Sequence, residues 1–198
     1  MPALRSGRQL LAAVRFLLVA TVVLGMVYPL AITLFAQLVP GRAGGSLVSR
    51  DGEVVGSSLV GQAFVSGSGE PLPQYFQSRP SASDYDGAAS GGSNLGPNAP
   101  ELVAAVEERR AAVAALEGVP GSEVPADAVT ASASGLDPGI SVAYAALQVD
   151  RVAADRGVPA ADVEVLVAEA THGRDLGFIG APWVDVLELN LALDRELR

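Results

Sequence analysis

The chain has 198 residues with 13 basic side chains, all arginine, against 22 Asp plus Glu, one histidine and no cysteine, for a formal net charge of −9. The absence of lysine excludes a Walker A phosphate loop and any Schiff-base or lysine-base chemistry, and the absence of cysteine excludes disulfides and thiolate metal sites. Residues 40–198 hold all 22 acidic residues against ten arginines, a net −12 that matches neither nucleic acid nor anionic lipid.

Residues 16–39 run for 24 positions without a formal charge behind Arg5, Arg8 and Arg15. At about 1.5 Å per residue they make a helix of roughly 36 Å, enough for a hydrocarbon core of about 30 Å. A secretory signal is the alternative, but its apolar region is usually about 7–15 residues and ends in a small-x-small site. The stretch Phe35-Ala36-Gln37-Leu38-Val39-Pro40 offers no clean one. The expectation is therefore an uncleaved span in membrane lipid, kinked at Pro29. Arg42 and Arg50 follow the span close to Asp51 and Glu53, so the basic excess lies on the N-terminal side. The positive-inside rule then gives a cytoplasmic stub (1–15), a transmembrane helix (16–39) and an extracytoplasmic domain (40–198) at the cell membrane. The fold class expected is α+β, with one N-terminal transmembrane helix followed by one mixed α/β domain.

Beyond the span, residues 41–45 read as a flexible exit. Residues 47–50 and 53–55 are β-prone runs around Asp51-Gly52, a hairpin signal, and 59–64 extend the apolar pattern. Residues 66–100 are rich in Gly, Ser, Pro and Asn; so long a connection inside a domain points to a functional or partner-ordered loop. Asn98, Pro100 and Glu101 predict a capped helix start, with the helix running to about Leu116 and stopping at Gly118. Residues 118–140 are a second connection with a possible strand over 128–131. A helix over 141–156 stops at Gly157, another opens after Pro159 and runs to about Ala170, and the segment from Trp183 onward favours a terminal helix over a strand.

Few residues carry an obvious chemistry. His172 lacks a nucleophile pattern for a triad and a second His or any Cys for a zinc site. Asp84 with Asp86, and Glu107 with Glu108, lack the context of a Ca²⁺ loop, and Arg109-Arg110 is expected to pair with helix carboxylates. The glycine-rich stretch 90–98 before a helix is a generic anion cradle, but without lysine it reads better as a docking loop. Tyr75, Phe76, Arg79, Pro80, Tyr85, Ser93 and Asn94 are the candidate partner-docking residues.

Several blocks carry a family resemblance. Tyr75-Phe76-Gln77-Ser78-Arg79-Pro80-Ser81-Ala82, then Tyr85 and the stretch 90–98, resemble the C subunit of the Kdp potassium-transporting ATPase, a P-type pump. So do Gly56-Ser57-Ser58-Leu59-Val60-Gly61-Gln62-Ala63-Phe64, and Asp137-Pro138-Gly139-Ile140-Ser141 with Ala145, Gln148, Arg151, Val152 and Ala153. Val186-Leu187-Glu188-Leu189-Asn190-Leu191-Ala192-Leu193-Asp194 is similar to the family's C-terminal signature. Two departures stand out: Gly139 where the family often has His, and Ala181-Pro182-Trp183-Val184-Asp185 where Glu-Pro-Arg-Val-Asn is expected. The resemblance implies an accessory, non-catalytic subunit. Its partners would be a channel-like potassium-binding subunit and an ATP-hydrolysing subunit, whose ATP affinity it would raise as a catalytic chaperone. The family's proposed nucleotide contact falls on Gln148, with ATP shared with the hydrolysing subunit. A domain outside the cell could act on that nucleotide only through coupling between sites. The alternatives are a membrane-anchored outer-surface hydrolase and a secreted binding module.

Overall fold

Proline at position 29 cannot donate to the carbonyl of residue 25, and its ring crowds that carbonyl. The structure, a computed structural model that describes residues 2–197, and side chains from Gly7 onward, absorbs this with a widened turn. Helix α1 (Pro2–Val22) passes into a π turn at Val23–Val27 and on into α2 (Tyr28–Ala36), with the Tyr28 N–H reaching back five residues to the Val23 carbonyl. The disturbance expected at Pro29 thus takes the form of a π turn just before it. The helix also extends back through the basic stub. Its stretch Gly7–Ala36 is 30 residues long, and its most apolar 18-residue window has mean hydropathy 2.5 and no buried residue. An all-round apolar helix of that length can cross a membrane. A single turn, α3 (Pro40–Ala43), closes this first unit, and the second begins at Leu47.

The second unit opens with the expected hairpin, β1 (Leu47–Arg50) and β2 (Glu53–Ser57). Asp51 at φ 52° and Gly52 at φ 87° both take the left-handed conformation that a two-residue turn of matching twist demands. Residues 58–99 then run without a helix or a multi-residue strand before α4 (Pro100–Glu117), α5 (Ala126–Val129), β3 (Gly139–Ser141), α6 (Val142–Arg156), α7 (Ala160–Glu169), β4 (Thr171–His172), β5 (Trp183–Asp185) and α8 (Val186–Glu196). The sheet order is β3-β5-β4, antiparallel throughout, with Ile140 opposite Val184 and His172 opposite Trp183.

Two expectations at element ends are corrected. Ala99, not Asn98, is the N-cap of α4 and no side chain caps it, so the Asn98–Glu101 box does not form, although Pro100 does open the helix. Residues 126–129 form the helical turn α5 where a strand over 128–131 was expected, and Ala128 and Val129 are buried there. The C-terminal segment is both alternatives in sequence. Asp185 ends β5, and its carboxylate accepts from the Glu188 N–H at 2.9 Å to start α8. Ser141 does the same between β3 and α6 through the Tyr144 N–H at 3.0 Å. Each strand therefore hands over to a helix through one capping side chain. The core collects Ile140, Val152, Val163, Val184, Leu189 and Leu193 from these elements, with Phe76 from the irregular segment.

Candidate functional site

The irregular segment enters the core at Phe76, and a buried backbone there must find hydrogen-bond partners. Two side-chain amides supply them. The Phe76 N–H donates to Asn190 Oδ1 at 2.9 Å, and Asn190 Nδ2 donates to the Phe76 carbonyl at 2.9 Å. The next residue is held the same way: the Gln77 N–H donates to Gln148 Oε1 at 2.7 Å, and Gln148 Nε2 donates to the Gln77 carbonyl at 3.1 Å. A carboxamide presents the donor and acceptor of a peptide group. Gln148 on α6 and Asn190 on α8 therefore stand in for a neighbouring strand. Both are buried, 0% and 1% exposed.

Charged groups extend the clamp. Arg151, one turn after Gln148, donates to Gln148 Oε1 at 2.8 Å, to the Tyr75 carbonyl at 3.0 Å and to the Pro73 carbonyl. Its Nε binds Glu117 of α4 at 2.9 Å, where the Glu117 side chain has no exposed surface. Arg156 donates to the Gln74 carbonyl at 2.8 Å and to Asp194 at 2.9 Å, with its guanidinium 5.1 Å from the Tyr75 ring centre. Asp194 also accepts from Arg50 at 2.6 Å and from the Tyr75 hydroxyl at 3.1 Å. Burial alone would raise the Asp194 carboxyl, but the bonds from Arg156, Arg50 and Tyr75 outweigh it and hold it below the ordinary carboxylate value. A depressed folded-state value means stability that is fully present above the unfolded value, about 3.9, and lost as pH falls through the folded one. Thermal unfolding of the full chain between pH 7 and pH 2 should show the gap between wild type and Asp194→Asn closing toward the acid end. A gap independent of pH would contradict this role for Asp194.

The candidate docking residues separate into two groups. Phe76 has no exposed surface and faces the core; Tyr75, Arg79, Pro80 and Tyr85 are half-buried. Arg79 pairs with Asp137 at 2.9 Å and donates to the Thr130 carbonyl, the Pro80 carbonyl accepts from the Ser132 N–H at 2.9 Å, and the Tyr85 hydroxyl donates to the Arg79 carbonyl. Burial pushes the Tyr85 phenol up to about 12. Ser93 and Asn94 are exposed, with Asn94 held at φ 54°. Phe76 and Gln148 thus present no surface to the outside in this conformation. Arg109 reaches the Val129 carbonyl at 3.2 Å, and neither it nor Arg110 joins an ion pair among the described residues, correcting the expected pairing with helix carboxylates.

Sequence reasoning named Gln148 but missed Asn190, Arg151, Arg156, Asp194 and Glu117 as parts of one structure. A signal was present. Gln148 and Asn190 are amides on helix faces otherwise made of Ala145, Val149 and Val152, and of Val186, Leu189 and Leu193. A polar side chain on an apolar stripe announces a specific buried partner. The two departures from the family pattern also meet. A Cβ at position 139 would come within 2.4 Å of the Trp183 ring, so the indole fills the space that a side chain at 139 would take.

Together these features define a class: a mixed α/β unit, organised around one clamped loop and carried behind a helix apolar enough to cross a membrane. A family model described as "KdpC: K+-transporting ATPase, c chain" matches residues 10–195. The chain is similar to the potassium-transporting ATPase KdpC subunit of Kineococcus radiotolerans, 55% identical over 94% of this chain and 93% of that one. It is 50% identical to that of Mycobacterium tuberculosis H37Rv, over 95% and 98%. The Beijerinckia indica subunit is 52% identical, over 90% and 89%. The chain belongs to the KdpC family and is a subunit of a potassium-transporting ATPase complex.

Proposed function

We propose that this chain is the accessory, non-catalytic subunit of an ATP-driven potassium importer. It docks on the channel-like potassium-binding subunit and the ATP-hydrolysing subunit, with its N-terminus in the cytoplasm and its α/β unit outside the cell membrane. There it stabilises the assembly and, as a catalytic chaperone, raises the hydrolysing subunit's affinity for ATP. Without lysine it cannot carry the Asp-Lys-Thr-Gly phosphorylation motif of a P-type pump.

The route to ATP is indirect. The observation that carries this is Gln148, wholly buried with both ends of its amide bonded to Gln77. A group so placed positions the loop; it does not hold a nucleotide. The effect on ATP is then a coupling free energy transmitted through subunit contacts, typically about 1–3 kcal/mol or roughly 5–150-fold in affinity. ATPase assays on the purified complex test this. Omitting the chain should raise the KM for ATP. Complexes that retain a full complement of Gln148→Ala chain should keep the wild-type KM while losing thermal stability. A raised KM in such intact complexes would restore direct contact and overturn the indirect route. Protease added to intact cells should degrade the α/β unit; its survival there and loss in inverted vesicles would overturn the orientation.

A further inference from the structure

Three donor groups that the transport reading leaves unused converge where β4, β5 and α8 meet. His172 ends β4, Asp185 ends β5 and Glu188 lies in the first turn of α8, and one ligand atom from each lies within 4.8 Å of the others. Sequence reasoning set His172 aside as a metal ligand for want of a second histidine or a cysteine. Antiparallel pairing brings it two carboxylates from residues 13 and 16 positions away, which no short spacing pattern shows.

The setting is rigid on two sides. Thr171 and His172 pair with Val184 and Trp183 of β5. The imidazole stacks on the Trp183 indole with 4.3 Å between ring centres and 15° between planes. Asp185 is 1% exposed, and the Glu188 N–H satisfies one of its oxygens. Among the described residues no arginine pairs with Asp185, and neither nitrogen of the His172 ring makes a hydrogen bond or an ion pair.

A buried carboxylate with no cation bonded to it is costly. The amides at the start of α8 supply only about half a positive charge, which two carboxylates exceed. The imbalance is that of a site lacking a cation. One imidazole nitrogen with two carboxylate oxygens suits a zinc-class ion, whereas calcium and magnesium prefer oxygen ligands alone. The exposed His172 and Glu188 side chains are free to close onto an ion at the usual roughly 2.0–2.2 Å.

We propose that His172, Asp185 and Glu188 bind one divalent zinc-class cation, with water completing its shell. The ion ties β4 to the start of α8. It thereby fastens both ends of the loop 173–182, whose Leu176 and Phe178 are 83% and 70% exposed.

The experiment titrates zinc chloride into the full chain, purified in detergent without a histidine tag and stripped with chelator, by calorimetry. One ion per chain is expected. His172→Ala and Asp185→Asn should each weaken binding by at least the roughly 10–100-fold that loss of a mere supporting residue costs. Asparagine is as good an N-cap as aspartate, so the second variant removes the charge and keeps the helix start. Absence of binding by the wild-type chain, or binding unchanged in both variants, overturns the site and assigns any zinc uptake to the general acidic surface.

Discussion

Replacing Arg151 by methionine lowers the unfolding free energy of the α/β unit by about 3–5 kcal/mol, the usual cost of removing one partner of a buried ion pair. Two losses combine. The carbonyls of Pro73 and Tyr75 and the Gln148 oxygen each lose a charged donor. Glu117 is left with no exposed side-chain surface and no cation, and its second oxygen already lacks a partner. Burial already raises the Glu117 carboxyl even with Arg151 bonded to it; without Arg151 it rises further. A carboxyl with a raised folded-state value binds its proton more tightly in the folded chain. The variant should therefore recover stability as pH falls through that value. The double variant Arg151→Met with Glu117→Leu should be more stable than Arg151→Met alone, because it removes the orphaned charge. Urea denaturation of the full chain at pH 7 and pH 5 measures all three. A loss under about 1 kcal/mol, the range of surface pairs, would show that the pair is hydrated and the clamp does not depend on it.

Replacing Asn190 by leucine costs about 2–6 kcal/mol, the sum for two buried groups left unpaired. The side chain keeps its branching and heavy-atom number, but the Phe76 N–H and carbonyl are left buried and unpaired, at about 1–3 kcal/mol each. Gln148→Leu acts equivalently on Gln77. The two amides hold consecutive residues, so once one lets go the other grips a segment already loosened. The double variant should fall short of the summed losses by about 0.5–3 kcal/mol. The released segment should also be cut faster by protease between residues 66 and 99 while α6 and α8 stay intact. Additive losses with wild-type protease resistance would mean that the loop is held by its own turns and not by the helices.

The same residues show what could be foreseen. Asp51-Gly52 forms its hairpin, and Gly118 and Gly157, at φ 69° and 67°, end α4 and α6. Each of these is settled within a few residues by backbone sterics. The Asn98 box failed although its spacing was right, because a cap depends on the direction from which the chain enters the helix, and that is set by neighbours elsewhere. The reading of 128–131 as a strand failed for a related reason. Its apolar residues are equally at home in a buried helical turn, and short apolar runs do not distinguish the two.

Family membership and the long apolar helix were legible from the amino-acid order, since both rest on residues adjacent in the chain. The clamp was not. Gln77 and Gln148 lie 71 residues apart, and Phe76 and Asn190 lie 114 apart. The family resemblance, not the side chain itself, put a nucleotide contact at Gln148, and an amide's donors and acceptor are the same whether they face a ligand or a backbone. Packing alone decides which partner it has, and here the core closed over it. Local sterics and hydrophobic length fixed the elements; the tertiary structure fixed which polar groups were removed from water, and so which remain to meet a partner.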